Sequence, residues 1–490
     1  MQRIILLSIT SLTLIGFLSS CKVGPEYQRP EIDFSEQKLF VVENLEENLG
    51  AKENQKNSKD ISLWWKRIED PTLDKYVDQL LKDNLSIKAA AQRIIQSQEN
   101  VKIQQGGLFP TLSVAGSGGR NFFQNPFQGQ GAAVNNYSAD LKTSWEIDLF
   151  GKIRKSIESK SAEFEATKFD KIALEQSLIA QLVKLRISIA INNALVDLAK
   201  SNIDNQKRIY DLVKYRYDVG AKSSSLLDVY LAENSYNSVK SDIHIHERIL
   251  LESLYKFDIL LGKPPGSTKI DSKSFPLIAP PNDVNLCFPA SLIDRRPDIR
   301  SSELKLISSN ADIGIAIADL YPDLSISGSV GLNSNSLNNF FSSQNLVESL
   351  IGNITNKIFQ GGALKANIKL KESRAKELAF DYSQDILQAF FEVENALANE
   401  REITLEIAKK QKSVNALQKA EKISYSYYSQ GIESLQSYLE VQLRRYKSEQ
   451  NLLNSDENKW NNRIDLYLAL GGDWFDEENN IESCAQKSSN

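Results

Sequence analysis

The sequence predicts an α+β membrane protein, internally duplicated, in which pairs of short strands alternate with helices of unusual length. Three observations carry this. The segment SIKAAAQRIIQSQENVKIQQGGLFPTLSVAGSG from Ser86 is echoed by DIRSSELKLISSNADIGIAIADLYPDLSISGSV from Asp298, each running from helix through Leu-aromatic-Pro into an alternating strand. The copies lie roughly 210 residues apart, far beyond solenoid periods, so half of the protein is duplicated. After each strand region comes a proline-free helical pattern, from Lys152 to about Arg216 and from Gly362 to about Tyr427. At about 1.5 Å per residue each would extend roughly 100 Å. Finally, Tyr137, Ala139, Leu141, Thr143, Trp145, Ile147 and Leu149 alternate with Ser138, Asp140, Lys142, Ser144, Glu146 and Asp148. That period of two gives one face suited to lipid and one suited to water.

From the N-terminus, Arg3 is followed by an apolar stretch from Ile4 to Phe17 and then by Leu18-Ser19-Ser20-Cys21, the layout of an export signal. LSSC resembles the bacterial lipobox, so residues 1–20 are expected to be removed and Cys21 to be acylated. Lys22 stands where an Asp would typically retain such a protein at the inner membrane, which points to the outer membrane. Residues 21–62 form a lipidated, extended segment, rich in Glu, Asn and Lys from Glu31 to Asp60. The folded body starts near Trp64-Trp65. Asp70-Pro71 suits a helix start, because Asp accepts from free amides and Pro is tolerated in a first turn. Helices then run to about Leu108.

Pro110 and Pro322 end their helices, since proline lacks the amide hydrogen and disfavours a helical residue before it. Strands follow at once, Leu112 to Phe122 in the first copy and Leu324 to Leu332 in the second. The loop NFFQNPFQGQGAAVNN separates the first strand from its partner, and a weaker strand is expected near Leu350 to Ile358. This makes four strands per chain. In the first long helix Leu178, Leu182, Leu185, Ile189, Asn192, Val196, Ala199, Ile203, Gln206, Tyr210, Val213 and Tyr217 form a heptad seam. Its polar members Asn192 and Gln206 are seam breaks, tolerated if they face water. Glycines break both patterns, at YDVG (Tyr217 to Gly220) and YSQG (Tyr428 to Gly431), and helices return from about Ser224 to Leu261 and Ser434 to Leu470. The resulting division is a first repeat at 63–270, a second at 271–474 and a polar tail at 475–490.

Composition narrows the function. Across 490 residues, 58 Lys+Arg stand against 63 Asp+Glu, with no basic block, so no nucleic-acid partner is expected. No internal run reads as long and apolar enough for a membrane-spanning helix, so membrane entry is assigned to strands. Cys21, Cys287 and Cys484 are too scattered for a zinc site or a disulfide framework, although Cys287 and Cys484 could pair in an oxidising compartment. His244 and His246, two apart on a helix, point to different faces and read as surface residues rather than metal ligands. Arg295-Arg296-Pro297 reads as structural, with Pro297 opening a helix. No nucleophile elbow, phosphate loop or paired-carboxylate context is present, so neither enzyme activity nor a cofactor is predicted.

Four strands cannot close a barrel, and an open edge in lipid leaves backbone groups unpaired. Copies must therefore combine. Two would give about the smallest barrel known, whereas three would give twelve strands around a lumen.

The ordered series CKVGPEYQRP, WW, GLFPTLSVAGSG, WEIDLFGKIR, YDVGAKSSSLLD, LIDRRPDIRSSE, LYPDLSISGSVG and LALGGDW resembles the TolC-like outer-membrane factors, in the lipoprotein branch that serves resistance-nodulation-division pumps. The resemblance spans Cys21 to about Trp474. It implies a homotrimer with a twelve-stranded outer-membrane β-barrel continuous with a long twelve-helix periplasmic α-barrel. A periplasmic adaptor and an inner-membrane pump are the implied partners, and passive export of small molecules the implied function. By the same resemblance Tyr217, Asp218, Gly220, Tyr428 and Gly431 are expected to dock the adaptor, and Glu440 in YLEVQ to act in a periplasmic gate. The competing reading, a structural coiled-coil envelope lipoprotein, accounts for the heptads and Cys21 but leaves the strands without a purpose.

Overall fold

The two helix-stopping prolines set the chain path in the computed structural model, which describes residues 22–30, 64–68, 70, 72–124, 131–221, 224–268 and 295–471. Helix α1 spans Leu73–Asp83 and α2 Leu85–Gly106, followed by strands β1 (Thr111–Gln124) and β2 (Gly131–Ile147). Next come α3 (Lys152–Asp218), α4 (Leu226–Leu260), α5 (Pro297–Ala318), β3 (Asp323–Ser334), β4 (Leu346–Thr355), α6 (Ala363–Ser429) and α7 (Leu435–Ala469). Lengths match in pairs: 22 residues for α2 and α5, 67 for α3 and α6, 35 for α4 and α7.

The chain divides into two compact units, each drawing on both halves of the sequence. One comprises the described residues within Met1–Ile32, Gln92–Phe169 and Ser301–Gln384. It contains the sheet, whose order is β1-β2-β3-β4 with every pair antiparallel. Register aligns the apolar residues, since Val114 pairs with Leu141, Leu141 with Val330, and Trp145 with Ile326. Directly paired residues share a face, so Leu112, Leu141, Ile326, Leu332 and Leu350 lie on one side and Ser113, Lys142, Ser327 and Ser349 on the other. The outer edges of β1 and β4 have no strand partner among the described residues.

The strands differ from expectation at their ends. Residues 123–124 and 131–136, expected in a loop, extend the ladder from Gly119↔Asn136 to Gln124↔Gly131, because pairing supplies the backbone hydrogen bonds that their weak propensity does not. Strand β4 starts earlier than Leu350 and stops before Ile358, matched to β3 from Leu332↔Leu346 to Asp323↔Thr355. Strand β2 stops at Ile147, and Asp148 turns to cap α3, accepting from the amides of Ile153 at 3.1 Å and Arg154 at 3.0 Å.

In the same unit, Lys22 to Pro30 is held at several points. Lys22 pairs with Glu158, and Asn310 donates to the Pro25 carbonyl at 3.2 Å. Arg29 donates to Glu303 at 3.1 Å and to the Tyr382 hydroxyl at 3.0 Å. Gly24, at φ 112°, lies so close to Gly314 that a Cβ there would fall 2.6 Å from its Cα.

The other unit holds the main core, in which Trp64, Leu73, Leu80, Leu182, Ile187, Ile189 and Phe257 are buried. Trp64 stacks on Tyr467 at 5.3 Å, so the body does begin at the Trp pair. Asp70 accepts from the Thr72 amide at 2.9 Å and also pairs at 3.1 Å with Arg186, both side chains being fully buried; Pro71 lies outside the described residues. The seam of α3 packs inward as its spacing predicts, but Asn192 and Gln206 do not face water. They are 4% and 2% exposed. The Asn192 amide donates to the Ser188 carbonyl at 2.8 Å, and the Gln206 amide donates to Gln442 Oε1 on α7 at 2.9 Å. A seam position turned towards a packed neighbour is buried whatever its polarity; both amide nitrogens find acceptors, which offsets part of the desolvation cost, while Gln206 Oε1 stays buried without a hydrogen-bond partner.

Two further expectations change. Helix α3 does contain an 18-residue window of mean hydropathy 1.3, contrary to the expectation of no such run. As 67% of that window is buried, the core accounts for its apolarity. His244 is exposed and contacts Glu247, but His246 is half-buried against α7, its Nε2 3.2 Å from Gln450; burial holds its pKa below the usual value. Pro297 opens α5 as expected, and Arg296 is held by Asp298 at 2.7 Å and Glu392 at 2.5 Å.

Candidate functional site at the hairpin turns

Both long helices end in the same way. Gly220 and Gly431 adopt φ of 74° and 76°, in the left-handed region that costs glycine nothing. The Gly220 amide donates to the Tyr217 carbonyl at 2.9 Å and the Ala221 amide to the Arg216 carbonyl at 2.9 Å. At the second turn the Gly431 amide donates to Tyr428 at 3.0 Å and that of Ile432 to Tyr427 at 2.9 Å. These are paired Schellman closures, which satisfy the last helical carbonyls. Each returning helix is then capped by serine. Ser225 and Asp228 form a capping box, and the Ser434 hydroxyl accepts from the Ser437 amide.

The two turns stand side by side. Ile209, Val213, Val229, Ala232, Leu435, Tyr438 and Leu439 form one buried cluster beneath them. Tyr428 stacks on Tyr438 with centroids 5.8 Å apart and planes at 5°, and the Arg216 guanidinium lies 5.6 Å from the Tyr428 ring centre. Burial raises the pKa of the Tyr438 hydroxyl, with the nearby Glu421 charge acting in the same direction. Arg445 sits 2.6 Å from both Glu421 and Glu449, though its approach to Glu421 is an ion pair without hydrogen-bond alignment. Burial drives the Glu421 carboxyl upward and Glu449 adds to the rise, while Arg445 opposes it.

Of the residues singled out from sequence, Tyr217 and Asp218 are exposed at the end of α3, and Gly220 and Gly431 are exposed at the turn tips. Tyr428 is half-buried in the tyrosine stack. Around them Val219, Leu226, Leu227, Tyr230 and Ile432 leave apolar surface exposed. Glu440, on α7, is exposed and pairs with Arg444 one turn on, at 2.5 Å. Cys21, Cys287 and Cys484 lie outside the described residues. Sequence reasoning passes over Arg216, Tyr438, Glu421 and Arg445. The run Tyr425-Ser426-Tyr427-Tyr428 signals an aromatic cluster, but the ion triad joins residues brought together only when the hairpin folds.

The chain matches the sequence profile of the family described as outer membrane efflux protein over residues 76–256 and 288–472. It is similar to the cation efflux system protein CusC of Escherichia coli O6:H1, 25% identical over 460 residues that cover 93% of this chain and 96% of that protein. It is also similar to the solvent efflux pump outer membrane protein SrpC of Pseudomonas putida, 28% identical over 415 residues covering 84% and 87%. Among solved structures, the outer-membrane channel OprN aligns with a TM-score of 0.82 and 26% identity, over 93% of this chain and all of that one.

Proposed function

The chain belongs to the outer membrane efflux protein family, and from that premise we propose that three copies form the exit duct of a tripartite efflux pump. The observation that carries the proposal is the four-stranded sheet, which has one apolar face, one polar face and two open edges. In lipid those edges need partners, and strands from other copies supply them. Three copies give a twelve-stranded barrel with a polar lumen. The long helices α3, α4, α6 and α7 of each copy give twelve for a periplasmic barrel. The pairwise equal helix lengths and the two-part profile match support an internal duplication.

The duct works passively. Energy comes from an inner-membrane pump of the resistance-nodulation-division type, and a periplasmic adaptor joins pump to duct. The adaptor docks at the turns around Tyr217, Asp218, Gly220, Tyr428 and Gly431, where rigid Schellman closures present exposed apolar side chains. Glu440 from three copies forms an acidic ring at the periplasmic aperture, drawing cations and restricting flow. Acylated Cys21 places the chain at the outer membrane while the strands hold it there. The relatives' cargoes differ, cations for CusC and solvents for SrpC, in keeping with a wide duct that selects weakly.

Deletion of the gene followed by dye- and drug-accumulation assays tests this reading, together with planar-bilayer recording of the purified protein. Raised accumulation and discrete conductance steps are expected. A non-conducting protein whose loss leaves accumulation unchanged would favour a structural role.

A further inference from the structure

The apolar side of the sheet carries two charges. Register puts Leu112, Val114, Gly116, Gly118, Arg120 and Phe122 of β1 on that side, with Leu346, Glu348, Leu350, Gly352 and Ile354 of β4. Every residue that β2 and β3 place there is uncharged. Arg120 and Glu348 are therefore opposite in sign and lie on the two edge strands. Both are exposed in the single chain, and among the described residues neither has an ion-pair partner. A charge facing lipid is costly unless it is neutralised.

The ladder fixes where these charges would go. A line of direct pairs runs Val114, Leu141, Val330, Glu348, and a second runs Gly116, Ala139, Leu332, Leu346. Continued onto the next copy without displacement, the last four residues of β4, 352–355, would run past the start of β1 at Thr111. Strands of a closed barrel tilt, however, so the ladder reaches the next copy shifted along the strand. The shift must be even, or the faces would exchange. It must also run towards the far end of β1, because the opposite direction leaves β4 facing helix α2 and unpaired. Twelve strands about 4.8 Å apart with a rise of about 3.3 Å per residue tilt by about 35° for a shift of about four residues per copy, and by about 45° for about six. These bracket the tilts usual for membrane barrels. Either shift lays all of β4 against β1. A shift of about six sets Glu348 directly opposite Arg120; one of about four sets it opposite Gly118, with Arg120 the diagonal neighbour on the same face, within reach of a long side chain.

We infer that Arg120 of one copy pairs with Glu348 of the next, so that the two charges on the lipid-facing side neutralise each other at the seam where copies join. The inference rests on the three-copy barrel proposed above and adds to it a specific contact that sets the register between copies. The partner is a second copy of this chain, and the pair is incomplete without it.

Charge reversal tests the pair in the full-length, membrane-extracted protein. Arg120→Glu or Glu348→Arg alone should lose SDS-resistant trimers at temperatures where the unaltered protein keeps them, and the two together should restore them. In a background carrying Cys287→Ser and Cys484→Ser, Glu348→Cys combined with either Arg120→Cys or Gly118→Cys should give oxidant-dependent cross-linked dimers and trimers for at least one combination. Each single cysteine should give none. This second measurement introduces no charge and so survives a failure of the reversed variants to insert. Trimers that assemble but never cross-link, with a double reversal no better than the worse single, would overturn the pair while leaving the barrel intact. An unaltered protein that is not trimeric would overturn the three-copy reading, and the pair with it.

Discussion

At Gly220 and Gly431 nothing lies within 4 Å of where a Cβ would stand, so substitution there meets only the backbone cost of φ near 75°. For an ordinary residue that cost is about 1–2 kcal/mol, and asparagine bears it best. Gly220→Asn and Gly431→Asn are thus expected to keep folded, membrane-inserted protein. If export falls while thermal stability holds, the turns serve docking as well as capping; unchanged export would leave them as caps alone. Glu158 offers a pH-dependent reading of the N-terminal segment. Partial burial pushes its carboxyl up, but hydrogen bonds from Lys22 and Lys155 outweigh that and hold it below its ordinary 4.5. A depressed carboxylate contributes stability that is fully present above its unfolded value and lost as pH falls through the folded one. Proteolytic release of the segment after Cys21 should therefore rise as pH falls below that ordinary value, and Glu158→Gln should show the same release already at neutral pH. The two glycine turns are legible in the sequence because αL closures favour one residue type. The buried Asp70–Arg186 pair is not, since nothing in local pattern links positions 116 residues apart.

Among elements, the long helices are the most legible, with ends falling within two residues or so of the sequence reading. Heptad spacing and the absence of proline persist over many turns, so errors average out. Strand ends are less so, because β1 and β4 take their limits from register with a neighbour rather than from their own residues. The seam of α3 shows the limit of periodicity: it finds Gln206 as a seam position but not the Gln442 that receives it. Pairing predicts a pattern of stability. Gln206→Leu alone leaves Gln442 Oε1 buried without its donor and should cost about 1–3 kcal/mol; Gln442→Leu also removes a hydrogen bond to Glu421 and should cost more, and the two together should cost less than the sum of the singles. Thermal denaturation of the four proteins reads this directly. A loss in the double variant equal to the sum of the two single losses would mean that the pair is not coupled.

For the whole molecule, the unclosed sheet is the reason for the proposed assembly. The sequence makes the strand number and the two-faced sheet legible. It leaves the partner contacts illegible, because Arg120 and Glu348 acquire meaning only when β4 is laid against another β1. Closure by three copies also gives Glu440 its proposed role, since a single exposed glutamate paired with Arg444 does nothing that a ring of three could do. Glu440→Ala should raise conductance in planar bilayers and weaken cation preference; unchanged values would assign Glu440 to the solvated face of α7. All of these outcomes depend on stoichiometry. Native mass spectrometry of the detergent-extracted, full-length protein measures it most directly, against a calculated 55.1 kDa per unmodified, uncleaved chain. Three copies in one complex are predicted, and a folded monomer or dimer as the main species would contradict the account.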